Sequence, residues 1–209
     1  EVLNIKNVEI NINDYNNLPL DTVRLGPKEK YISKANFDIF KQYIFSVYKI
    51  DDSYDNNQYP PIILVKRNHG RKLVENIDFK EIQNTFEQTF VQTTGSERRE
   101  IRDINKLDYK LNETYKNKFK SVYFEDIPFD EQIKYFNNAK IIICAHGAVM
   151  ANTFFCKENT ILIEVVCDDS KYIFFDAISA LLNLNHIKCY YNDADYIFNK
   201  VSSIETAFI

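Results

Sequence analysis

Residues 141–152, IIICAHGAVMAN, decide the fold of this 209-residue chain. Three isoleucines and Cys144 form a short apolar run, which is typical of a strand buried on both faces of a parallel sheet. The run gives way to His146, Gly147 and Ala148, where we predict that a helix begins. The first N–H groups of a helix have no internal partners and attract anions, so this junction is a candidate phosphate site. An ordinary strand-to-helix turn with a half-buried histidine is the alternative.

Strand-like and helix-like segments alternate on both sides of this stretch. The alternation over residues 61–191 predicts an α/β protein with a Rossmann-like, doubly wound parallel sheet. We expect residues 1–50 to form an N-terminal extension or hinge of strands and one helix, and residues 51–209 to form the Rossmann-like domain. Residues 93–120 are charged and only weakly periodic, so we interpret them as a polar insertion that decorates this domain.

Composition narrows the class of protein. The net charge of -4 argues against sequence-independent nucleic-acid binding, and no apolar run is long enough to span a bilayer. The four cysteines show no C-x-x-C pairing, which favours buried free thiols and a reducing compartment, hence the cytoplasm. A Golgi or endoplasmic reticulum lumen is the alternative if the chain belongs to a longer protein. The three histidines lack metal-ligand spacing, so we predict no metal site.

Two further features are chemically informative. Residues 66–72, KRNHGRK, place five potentially cationic side chains after a predicted strand, the end at which open α/β sheets bind ligands. A solvated basic turn is the alternative. Glu164 interrupts the apolar run 161–166, and a carboxylate there is costly unless a hydrogen-bond donor or a basic partner meets it.

Three segments in order, ILVKRNHGRKLVEN, FEDIPFDEQIKYFNNAKIIICAHGAVMANTFF and ILIEVV, resemble glycosyltransferase family 61. Several ordered motifs together are more specific than any one of them. The pair Glu75-Asn76 is reversed relative to the family pattern, and Val149 stands where glycine is common. The matching positions are Arg67, Arg71, Glu131, Gln132, His146, Gly147, Ala148, Asn152, Phe155 and Glu164.

The resemblance implies one half of a GT-B glycosyltransferase, the donor-binding half, and an inverting transfer from a nucleotide sugar, expected to be a UDP-sugar. The acceptor would be a glycan or a glycoprotein, and no cofactor or metal would be required. The residues implied in donor binding are Arg67, Arg71, His146, Gly147, Ala148, Val149, Asn152 and Glu164.

The resemblance assigns no catalytic base within this chain. We expect the base to come from an N-terminal domain of the same protein that lies outside the chain. Asn152 is expected to brace the loop more than to contact the donor. A noncatalytic nucleotide- or glycan-binding module with the same fold is the alternative, and the reversed Glu75-Asn76 pair is the feature that suggests it.

Overall fold

A five-stranded parallel sheet forms the centre of the computed structural model, which describes residues 22–24, 31–51, 58–67, 101–166, 174–190 and 193–208. A two-stranded antiparallel pair, β1 (Thr22–Arg24) and β2 (Tyr31–Ser33), precedes it. The strands of the main sheet, in sequence order, are β3 (Ile62–Lys66), β4 (Phe119–Tyr123), β5 (Ile141–Ala145), β6 (Ile161–Val165) and β7 (Asn185–Cys189). In space they lie in the order β4-β3-β5-β6-β7, which confirms the predicted doubly wound α/β class.

Helices cover both faces of the sheet because successive strand residues point to opposite sides. Ile63 and Val65 of β3 pack into one apolar core, and Ile62 and Leu64 pack into the other. The first face carries α1 (Lys34–Tyr48), a 3-10 helix (Ala148–Phe155), α3 (Phe129–Asn138) and α4 (Phe174–Leu181). The second face carries α2 (Ile104–Tyr115) and α5 (Ala194–Phe208).

Helix α1 packs on the first face through two phenylalanines. Ser33 caps the helix by accepting a 3.2 Å hydrogen bond from the N–H of Asn36. Phe37 and Phe45 are buried in the first core, whereas Phe40 is half exposed. The described helix of the N-terminal extension therefore shares its core with the sheet.

The topology places a crevice between β3 and β5. These strands are neighbours, yet the connection that follows β3 runs through α2 on the second face, and the connection after β5 runs through the 3-10 helix on the first. Such a point is a topological switch point, and open α/β sheets bind ligands in a crevice outside the carboxyl ends of the strands there. The residues that follow β3 and β5 therefore line the first place to look for a site.

The prediction that residues 93–120 decorate the surface is wrong for their described part, 101–120. Leu107 and Leu111 of α2 are fully buried in the second core, and β4 begins at Phe119. The pattern is hard to see because Leu107, Leu111 and Tyr115 recur every four residues among charged side chains that face solvent. This segment supplies the helix that covers the sheet beside β4.

The side chain of Lys66 points to the second face, toward α2, and not into the crevice. Its ammonium group lies 2.9 Å from Oδ2 of Asp108 on α2, and Ser121 of β4 donates a 3.0 Å hydrogen bond to the same carboxylate oxygen. Burial by itself lowers the pKa of Lys66, but the hydrogen bond and charge of Asp108 outweigh it and raise the pKa. One of the five cations predicted for the loop is therefore used to attach α2 to the strand end.

Several predictions lie outside the described residues: Arg71, the Glu75-Asn76 pair with its proposed helix, and Cys167. The other three cysteines, Cys144, Cys156 and Cys189, are free thiols buried in the two cores. Among the described helices, none combines the length and the apolar character needed to cross a membrane.

The packing of α2 predicts a large difference between two substitutions on one helix. Leu111→Ala should lower the free energy of unfolding by about 2–5 kcal/mol because it leaves a cavity in the second core. Tyr109→Ala, at a side chain that is 67% exposed, should change it by less than about 0.5 kcal/mol. Urea unfolding followed by circular dichroism measures both, and equal small effects would contradict a core role for α2.

Candidate functional site

Arg67 and His146 meet at the crevice between β3 and β5. Each residue directly follows its strand, and Nη2 of Arg67 donates a 2.6 Å hydrogen bond to the backbone carbonyl of His146. A guanidinium group carries further N–H groups in a planar fork that matches phosphate oxygens. The two residues that the sequence placed on separate motifs thus lie side by side at the carboxyl edge of the sheet.

Gly147 is required here for space and not for an unusual backbone angle. Its φ of 161° is extended backbone that any residue adopts. A Cβ atom added to Gly147 would overlap Nη2 of Arg67 and lie 3.0 Å from Cζ. The absence of a side chain at Gly147 therefore lets the Arg67 guanidinium approach the backbone closely.

The segment after Gly147 is helical, but it is a 3-10 helix of eight residues where the sequence suggested an ordinary helix. Its first internal bond runs from the N–H of Met150 to the carbonyl of Gly147 at 3.0 Å, so the N–H groups of Ala148 and Val149 precede the ladder. The hydroxyl of Thr153 donates a 2.7 Å bond to the carbonyl of Met150, three residues earlier, which suits the tighter winding. Backbone donors for an anion therefore lie beside the Arg67 cation.

Glu164 lies next to this loop and accepts hydrogen bonds from two histidines. Nδ1 of His146 donates to Oε1, and Nε2 of His186 donates to Oε2 at 2.8 Å. Glu164 is 1% exposed, so its charge would be costly without these partners. The sequence predicted that Glu164 needs a donor, and the structure supplies one imidazole from the loop after β5 and one from β7.

The two imidazoles also decide the charge state of Glu164. Burial by itself raises the pKa of the carboxyl, but the hydrogen bonds from His186 and His146 outweigh it and hold the pKa below its ordinary value. The group is therefore an ionised acceptor at neutral pH. An ionised carboxylate has no proton to donate, so Nδ1 of His146 carries the proton in their hydrogen bond.

Asn152 braces the 3-10 helix against α3. Its side-chain N–H donates a 2.9 Å bond to Oε1 of Gln132, whose own amide donates to the carbonyls of Phe124 and Ile127, both at 2.9 Å. This bond is the bracing contact that the sequence suggested for Asn152. The Gln132 side chain thereby connects the segment before α3 with the 3-10 helix after β5, which gives Gln132 and Asn152, two positions of the family pattern, a shared structural role.

One set of side chains among the described residues has the composition of a metal site. Glu164, Asp176 and His186 offer ligand atoms that lie within 4.8 Å of one another. The His186 ring stands between the carboxylates, however, with Nε2 toward Glu164 and Nδ1 3.3 Å from Oδ1 of Asp176. Lys188 binds the other oxygen of Asp176. These contacts fit a network of paired charges better than a cation site.

The structure thus brings together most of the residues that the sequence singled out. Arg67, His146, Gly147, Ala148 and Val149 lie together at the carboxyl ends of β3 and β5. Glu164, which the resemblance implied in donor binding, is buried and both its oxygens accept from histidines. Asn152 braces the 3-10 helix, and Arg71 lies outside the described residues. Sequence reasoning missed His186 and Asp176. His186 occupies a polar strand, Asn185–Cys189, and no local motif connects it with a glutamate 22 residues earlier.

The fold and the site define an α/β protein of the Rossmann-like kind with cationic and backbone donors at the switch point of its sheet. The model of the family described as Glycosyltransferase 61 matches residues 20–163, well over half of the chain. The chain belongs to the glycosyltransferase 61 family and is a glycosyltransferase domain, with a donor and an acceptor as substrates. The match includes Arg67 and residues 146–152 and ends one residue before Glu164. Comparison with curated proteins finds no match.

The buried carboxylate predicts a pH-dependent loss of stability in Glu164→Gln. The amide cannot accept from both imidazoles, so we expect the free energy of unfolding at pH 7 to fall by about 3 kcal/mol. Because folding lowers the pKa of Glu164, the ionised carboxylate stabilises the fold at any pH above the ordinary carboxyl pKa. That stabilisation is lost as the pH falls through the pKa of the folded state. The difference in the free energy of unfolding between wild type and variant, measured with urea, should therefore narrow as the pH falls below the ordinary carboxyl pKa.

Glu158→Gln is the matched control, because Glu158 is 57% exposed in its pair with Lys34. It should cost less than about 1 kcal/mol. A Glu164→Gln gap that is as small as the control at pH 7, or that widens on acidification, would contradict the ionised state assigned to Glu164.

Proposed function

We propose that this domain binds the donor of an inverting glycosyltransferase and that the donor is a UDP-sugar. The observation that carries the proposal is the Arg67 guanidinium lying on Gly147 at the switch point, beside the N–H groups of Ala148 and Val149. A cation and backbone donors together suit a pyrophosphate. The nucleotide and the stereochemistry come from the family pattern and remain proposals.

The chemical task in such a transfer is to receive negative charge. As the bond between the sugar C1 and the β-phosphate oxygen breaks, its electron pair stays on the phosphate, and the acceptor oxygen forms the new bond from the opposite face. Arg67 and the amides would stabilise that charge more strongly as it develops than in the bound donor, which is how binding energy lowers a barrier. In this proposal no metal or other cofactor is required.

The acceptor hydroxyl must lose a proton, and the proposal assigns that proton to a base outside this domain. An N-terminal domain of the same protein would supply the base and complete a GT-B cleft. The acceptor would then be a glycan or a glycoprotein held between the two halves, and we place the reaction in the cytoplasm. Glu164 is excluded as this base because its ionised oxygens already accept from His146 and His186.

Calorimetric titration of the chain with UDP and with a panel of UDP-sugars tests donor binding. We expect UDP to bind and one UDP-sugar to bind best. Measurement of UDP release by the full-length protein with acceptor then distinguishes a transferase from a noncatalytic binding module of the same fold. Binding of none of these nucleotides would end the proposal that the donor is a UDP-sugar.

The site predicts which single substitutions weaken UDP binding. Arg67→Ala removes a charge-assisted contact with phosphate, and we expect the Kd for UDP to rise by about 10- to 100-fold. Gly147→Ala should have an effect in the same direction, because its Cβ would displace the same guanidinium. Arg71→Ala, at the second arginine of the motif, should also raise the Kd.

Lys106→Ala is the matched control for the loss of one positive charge. Lys106 pairs with Asp195 on the second face and is 52% exposed, so the fold and the crevice should be unaffected. Its Kd for UDP should equal that of wild type. Equal affinities for Arg67→Ala and Lys106→Ala would remove Arg67 from the donor site.

A further inference from the structure

Glu164 links the crevice to a second layer of side chains that the proposed reaction does not use. Its two oxygens are divided between histidines that approach from opposite neighbours in the sheet: His146 follows β5 and His186 lies on β7. Both imidazoles are largely buried, as is the carboxylate. The three groups form one continuous network across three strands.

The register of the strands explains why the groups meet. Leu162 of β6 lies opposite His186 of β7, and Glu164 lies opposite Lys188, so all four side chains point to the first face. Helix α4 packs on that face and presents Asp176 to Nδ1 of His186 at 3.3 Å and to the ammonium of Lys188. Nε2 of His186 makes the hydrogen bond to Glu164, whereas Nδ1 lies near Asp176 without hydrogen-bond geometry.

A buried carboxylate with one donor would leave its other oxygen unpaired, which favours the protonated form of the carboxyl group. A protonated carboxyl donates to Nδ1 of His146 and does not accept from it. His186 prevents this, because it donates to Oε2 while Oε1 accepts from His146. Donors that hold the partner of a functional histidine commonly affect affinity by about 10- to 100-fold in metal sites, where the same logic has been measured.

We propose that His186 is a positioning residue of the donor site. It holds Oε2 of Glu164 so that Oε1 stays an acceptor for Nδ1 of His146, which fixes the orientation of the His146 ring. The inference rests on the proposed function for the identity of the ligand, but the state of the His146 ring can be observed without any ligand.

The test compares His186→Phe with His186→Gln in the whole chain. Phenylalanine keeps a ring of similar size and removes the donor, whereas the glutamine amide can still donate to Oε2 of Glu164. Long-range ¹⁵N–¹H NMR reports which His146 nitrogen carries the proton, and calorimetry with UDP reports the Kd. We expect His186→Phe to lose the Nδ1–H signature of His146 and to raise the Kd about 10-fold, and His186→Gln to restore both.

Thr160→Val is the control for general destabilisation. Thr160 is buried at the amino end of β6, whereas the crevice lies at the carboxyl ends of the strands. Its hydroxyl donates to the carbonyl of Ala139 at 3.3 Å. Its loss should lower thermal stability without changing the Kd or the His146 signature. If Thr160→Val raises the Kd as His186→Phe does, or if His186→Phe keeps the wild-type signature, the positioning role is wrong.

The result for the wild-type chain separates the two proposals. If wild type binds no UDP, the proposed donor is wrong, and the NMR comparison alone decides the role of His186. If wild type binds UDP and His186→Phe binds it equally well, the proposed donor stands and the positioning role is overturned.

Discussion

The contact between the Arg67 guanidinium and the backbone of Gly147 depends on a single feature of the fold, the adjacency of β3 and β5 in a parallel sheet. Arg67 and His146, the residue before Gly147, are 79 positions apart in the chain and share a hydrogen bond only because their strands end at the same level. Any side chain at position 147 would fill the space that the guanidinium occupies. The crevice, its cation and its backbone donors all follow from this arrangement.

A second constraint is electrostatic. The buried carboxylate of Glu164 is stabilised by hydrogen bonds from two imidazoles. Its lowered pKa keeps it ionised, so both oxygens act as acceptors. Lys66 and Asp108 solve the same problem on the other face of the sheet, where their pair joins β3 to α2. Charged side chains therefore lie at the strand ends on both faces of the sheet. Lys66 is paired with a carboxylate, whereas Arg67 lies beside the backbone N–H groups at the start of the 3-10 helix.

The sequence predicts the class of fold and the core of the site because both depend on local patterns. The strand 141–145 and the HGA loop are visible as an apolar run followed by small residues, and Glu164 is conspicuous inside an apolar strand. The role of α2 is not visible, because the apolar residues Leu107 and Leu111 are separated by charges and the tertiary packing decides which side is buried. His186 is hidden for a related reason: its partner is far away in sequence, and polar strand residues carry no motif.

The family shows that the chain is a glycosyltransferase domain, and we propose that its donor binds at the crevice. The most direct measurement is a crystal structure of the chain with UDP bound. The account predicts the pyrophosphate over Gly147, with phosphate oxygens accepting from Arg67 and from the N–H groups of Ala148 or Val149. UDP bound at another edge of the sheet, with Arg67 still bonded only to His146, would contradict it.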